Sequence, residues 1–74
     1  MDVRKDHKRL LDNMLLLQKV YSAKALSASI GINPATWSRR IKEPWRMFSY
    51  DDFRSIAKYC RIDFTQLMEG ELSI

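Results

Sequence analysis

Residues 22–42 read S-A-K-A-L-S-A-S-I-G-I-N-P-A-T-W-S-R-R-I-K, two short helical patterns either side of one glycine. In the first, Ala23, Leu26 and Ile30 share one side, which predicts a helix over about Ser22 to Ile30. Gly31 can take the left-handed conformation that closes a helix, so it makes a short turn. Asn33 then supplies an N-cap, and Pro34 takes the first helical position, where its missing N–H costs nothing. In the helix that follows, successive residues turn by about 100°, so Trp37 and Ile41 share a face that points to the core. Ala35, Arg39 and Lys42 lie opposite, flanked by Thr36 and Ser38. Pro44 ends this third helix.

The rest of the chain repeats the same grammar. A first helix is predicted from about Val3 to Tyr21, with Leu10, Met14 and Leu17 as its stripe, widened by Leu11 and Leu15. Ser49 caps a fourth helix, with Asp51 and Asp52 favourably placed in its first turn. Phe53, Ile56, Ala57 and Cys60 form its apolar stripe. Asp63, with Gln66 three residues on, opens a fifth helix that buries Phe64, Leu67 and Met68 and stops at Gly70. There is no repeat, linker or low-complexity stretch. Residues 1–74 therefore read as one all-α domain of five helices, with the 22–42 unit at its centre.

Composition narrows the function. Seventy-four residues hold one modest core, and 46% hydrophobic content is ordinary for a globular chain. No apolar run approaches the roughly 18–20 residues that span a bilayer, and the charged start M-D-V-R-K-D-H-K-R does not read as a secretory signal. A single cysteine, Cys60, excludes an internal disulfide and suits a reducing cytoplasm. The net charge of +4 is unevenly spread. Residues 1–46 carry ten Lys/Arg against four acids, and residues 47–74 carry three against five. An excess of +6 at one end and −2 at the other suggests an anionic partner, nucleic acid before membrane.

The outer face of the third helix fits that partner. A small residue, Ala35, allows close approach; the hydroxyls of Thr36 and Ser38 can bond phosphates; an Arg39 fork can hold the O6/N7 edge of guanine. The blander reading is an exposed face that Arg and Lys merely solvate, and on this helix alone the two stand level. Other chemistry is thin. His7 has no metal-ligand partner on its helix face and reads as a solvated histidine near a helix start. Cys60 lies on an apolar stripe as a small core residue. Asp51 and Asp52 are explained as first-turn acids. No nucleophile stands beside a base and no Gly-rich phosphate loop is present, so no catalytic residue, metal, cofactor or small-molecule substrate is expected.

The same residues, S-A-K-A-L-S-A-S-I-G-I-N-P-A-T-W-S-R-R followed by S-Y-D-D-F-R-S-I-A-K-Y-C-R-I-D-F-T-Q-L-M, resemble the Cro/CI-type (XRE) helix-turn-helix family. Leu26, Gly31, Ile32, Trp37, Ile56, Ala57, Ile62 and Leu67 fall where that family places its Leu, turn Gly, apolar and Ile-Ala positions. The likeness spans nearly all of residues 10–70. It implies a lambda-repressor-like domain that binds double-stranded DNA as a homodimer, third helix in the major groove, and so a transcriptional regulator; the small size suggests one encoded by a phage or mobile element. By position, Pro34, Ala35, Ser38 and Arg39 match base-reading sites, Ser22 a phosphate site at the start of the second helix, and Lys42 a backbone site past the recognition helix. Ala23 stands where a Gln is common, so that phosphate contact is either missing or moved to Lys24. Arg46 lies in a connection that passes near the DNA backbone in this family. The expected contact set is Ser22, Lys24, Asn33, Ala35, Thr36, Ser38, Arg39, Lys42 and Arg46.

Three further features depart from the family. Arg40-Ile41-Lys42-Glu43 and then Pro44 replace a common Trp-Glu-Asn-Gly ending. Arg61 replaces a frequent Gly, where a positive φ would cost about 1 kcal/mol. An Arg–Glu pair that often ties the first helix to the third becomes Leu16 and Ile41 in gapless register, an apolar contact in place of a salt bridge. The rival to DNA binding is a helix-turn-helix fold turned to protein binding, anchored by Trp45, Met47 and Phe48. The tail residues Leu72 and Ile74 are expected either to cover the core edge or to sit in a dimer contact.

Overall fold

A computed structural model of the chain describes residues 3–70 and Leu72, and among these every regular element is helical. The order is α1 (Val3–Tyr21), α2 (Ala23–Ser29), α3 (Pro34–Arg40), α4 (Pro44–Met47), α5 (Tyr50–Cys60) and α6 (Phe64–Glu69). All-α architecture is therefore as the sequence predicts, but the described residues form six helices, not five. Pro44 does more than end the third helix. That helix stops at Arg40, and Pro44 opens a further single turn, its ring at the first position where no N–H is needed.

The caps explain most boundaries. Ser49 Oγ accepts from the Asp52 N–H while Asp52 Oδ2 accepts from the Ser49 N–H, a reciprocal capping box that starts α5. Gly31 closes the α2–α3 turn at φ 75°, and Arg61 ends α5 in the left-handed region at φ 58°, as its position between helices predicts. Asp63 precedes α6 without a side-chain cap hydrogen bond.

The core gathers Leu10, Met14 and Leu17 from α1, Leu26 from α2, Trp37 and Ile41 around α3, Phe48, and the Phe53, Ile56, Ala57 and Cys60 stripe of α5, with Leu67 of α6. Phe64 and Met68 are half-buried against it. On α1 the stripe widens on the side opposite to expectation. Leu15 is exposed and Leu11 only half-buried, whereas Asn13 is buried and Tyr21 packs on the core. The reason is α6. Asn13 Nδ2 donates to the carbonyls of Leu67 (2.9 Å) and Gly70 (2.8 Å), and its Oδ1 accepts from the Leu72 N–H. Arg9 donates to the Glu69 carbonyl at 3.0 Å. The last carbonyls of a helix have no partner within it, and here α1 supplies them from its side chains. Leu72 is half-buried on the core, so it covers the core edge; Ile74 lies outside the described residues.

The Leu16–Ile41 pairing is not borne out. Ile41 belongs to the core cluster, but Leu16 is half-buried and packs neither within it nor against it. It is Gln18 that turns to α3, accepting from the Trp37 indole N–H at 2.7 Å. Leu16, two residues away, lies about 160° round the helix from Gln18 and points elsewhere. The gapless register between the first and third helices falls with it, so any role for Arg39 has to rest on the geometry of α3 itself.

Candidate nucleic-acid interface

Two interactions fix how α3 presents itself. Asn33 Oδ1 accepts from the Thr36 N–H at 2.8 Å, which sets where the helix begins. Trp37 is fully buried, and burying its indole requires a partner for the N–H, which Gln18 provides. With Trp37 and Ile41 turned inward, Ala35, Ser38, Arg39 and Lys42 are left exposed on the other side. Arg39 Nη2 donates to Thr36 Oγ1 at 3.3 Å, one turn back along that outer face. A guanidinium held in this way has lost part of its rotamer freedom before any ligand arrives. Arg40 is half-buried and contributes less to the face.

The remaining expected residues fall in two groups. Ser22 and Lys24 are exposed at the start of α2, which packs against α3. Ser22 Oγ accepts from the Ala25 N–H, which leaves the hydroxyl proton free to donate. Its backbone sits at φ 83°, ψ 151°, a region glycine occupies far more readily than serine. Asn33 and Thr36 are committed to local structure through the bonds above. Arg46 is exposed but forms an ion pair with Glu43 at 3.5 Å, so its charge is partly compensated. Electrostatically, residues 22–42 hold Lys24, Arg39, Arg40 and Lys42 and no acidic residue at all.

Residues 45–48 divide between core and surface, which bears on the rival reading. Phe48 is buried, tilted against Trp37 at 5.1 Å between ring centres and edge-on to Phe53 at 5.8 Å. Trp45 is 36% exposed and stacks parallel on His7, centroids 4.5 Å apart with 4° between planes. His7 is thus half-buried under an indole and not a freely solvated side chain. Met47 remains exposed. The three-residue hydrophobic anchor is thereby reduced to Met47 and one side of Trp45.

Sequence reasoning missed Gln18 and Asn13, the polar residues that orient the elements. Both sit on or beside the apolar stripe of α1, and a polar residue inside such a stripe is the one signal that could have found them. Comparison with family models, curated proteins and solved structures finds no match for this chain.

Proposed function

We propose that this protein is a sequence-specific regulator of transcription that binds double-stranded DNA, laying the outer face of α3 in the major groove. The observation that carries this reading is the exposed row Ala35, Ser38, Arg39 and Lys42 on an acid-free, four-cation stretch, with Arg39 already held by Thr36. A small residue at the front permits close approach, and a bidentate guanidinium is the side chain that most often reads guanine. Lys24, Lys42 and the Ser22 hydroxyl flank it as phosphate contacts, which set position without reading sequence. One recognition helix covers only a few base pairs, so binding as a homodimer with helices about 34 Å apart supplies the remaining specificity.

Binding assays on two variants test these roles. Arg39→Ala is expected to lose on the order of 1–3 kcal/mol on a selected site and little on random duplex. Lys42→Ala is expected to weaken both about equally. Identical behaviour of the two variants would show that Arg39 reads no base.

A further inference from the structure

Apart from the α2–α3 face, the molecule carries a second cationic feature on different elements. A shallow bowl of about 360 Å³ opens between α5 and α6, lined by Arg54, Ser55, Ala57, Lys58, Ile62 and Phe64. Its floor is apolar: Ala57 is buried, and Ile62 and Phe64 are half-buried and packed on the core. Its rim is cationic. Arg54 and Lys58 stand four residues apart on α5, which places them side by side on one helix face. Both are exposed, and among the described residues neither is paired with a carboxylate, although Asp51 lies three residues before Arg54 and Asp63 borders the floor in sequence. The ion pair among the described residues is Arg46–Glu43, on another element. Arg54 lies over the Tyr50 ring at 5.5 Å, and Tyr50, 60% exposed, tilts against Phe64 at 4.7 Å. The guanidinium is therefore positioned beside the apolar floor before any partner binds.

We infer that this bowl is a docking surface for an acidic, apolar segment of another protein, whose carboxylates pair with Arg54 and Lys58 while an apolar side chain sits on Ile62 and Phe64. Two points select this occupant. The rim charge calls for an anion, since unpaired cations at the edge of an apolar patch gain most from a partner of opposite sign. The bowl's openness disfavours a small ligand, which typically buries most of its own surface. A peptide needs to insert only one side chain and lies across the rest. None of the lining residues belongs to α2 or α3, so the bowl is separate from the α2–α3 face.

The test is an amide chemical-shift titration of the protein with a synthetic twelve-residue peptide alternating Glu pairs with Leu and Phe. Polyglutamate and the same peptide with Lys for Glu serve as comparisons. Shifts are expected to cluster on Arg54, Lys58, Ile62 and Phe64 with the Glu/Leu/Phe peptide, and to be weaker with polyglutamate and absent with the Lys version. Arg54→Glu with Lys58→Glu alters exposed side chains only and should lower affinity at least about tenfold. If that double variant fails to fold, the map of shifts on the unaltered protein decides alone. Shifts centred on Arg39 and Lys42, a peptide displaced by duplex DNA, concentration-dependent self-association in place of peptide binding, or no binding would each overturn the proposal. Because the readout needs no DNA, its failure is distinguishable from failure of the DNA reading.

Discussion

The Asn13 amide donates to two carbonyls near the end of α6 and accepts from the Leu72 N–H, so one side chain joins α1 to both. Asn13→Asp keeps the shape and replaces the donor by an acceptor facing two carbonyl oxygens. Leaving one buried and one partly buried acceptor unsatisfied, and opposing a charge to them, should cost about 3 kcal/mol, measured as a drop in unfolding free energy in urea. A loss below about 1 kcal/mol would mean that water replaces the amide. At Cys60 burial pushes the thiol up to about 11 from 9.0. The folded state holds the protonated form, so the stability linked to Cys60 is fully present below pH 9 and lost as pH rises through 11. The stability of the unaltered protein relative to Cys60→Ala should therefore fall across that window. A constant difference between the two would show a thiol that titrates normally. Cys60 was legible as core because it repeats the apolar spacing of Phe53, Ile56 and Ala57; Asn13 was not, because composition marks it polar while its partners are backbone carbonyls some fifty residues away.

At the scale of elements, legibility followed the strength of local signals. The α2–turn–α3 boundaries and the start of α5 were readable because Asn33–Pro34, Gly31 and the Ser49–Asp52 box act on neighbouring backbone. The fourth element was not: α4 is four residues long, less than two turns, and so short a segment shows no helical period. The side on which α1 widens was hidden for another reason. Leu11, Leu15 and Leu16 are as apolar as Leu10, and only the arrival of α6 on one flank and Gln18's bond to Trp37 on the other decide which leucines are covered. At the α5–α6 connection, Arg61 occupies the left-handed region at φ 58°. Arg61→Gly should stabilise the protein by about 0.5–1 kcal/mol, seen as a raised Tm, because glycine adopts that conformation without a Cβ clash. An unchanged or lowered Tm would mean that the Arg61 side chain contributes as much as its backbone loses.

For the whole molecule, the uneven charge is carried into three dimensions as an acid-free α2–α3 unit beside a more acidic remainder. The +6 and −2 division was legible from residue counts, and the exposure of Arg39 and Lys42 from the burial of Trp37 and Ile41 on the opposite side. Pairing of Arg46 with Glu43 and of Arg39 with Thr36 was not legible, because it depends on rotamers that only the folded chain selects. The central claim, duplex DNA as partner, predicts a counterion signature that a solvated basic surface lacks. Fluorescence anisotropy of a labelled duplex, titrated with protein at a series of salt concentrations, reads it directly. If the four cations of the α2–α3 unit each displace one counterion, whether at phosphate or at a base edge, a dimer should give a slope of log K against log salt near −7, and a single protomer about half of that. A slope close to zero, or no binding to duplex even at low salt, would contradict the account.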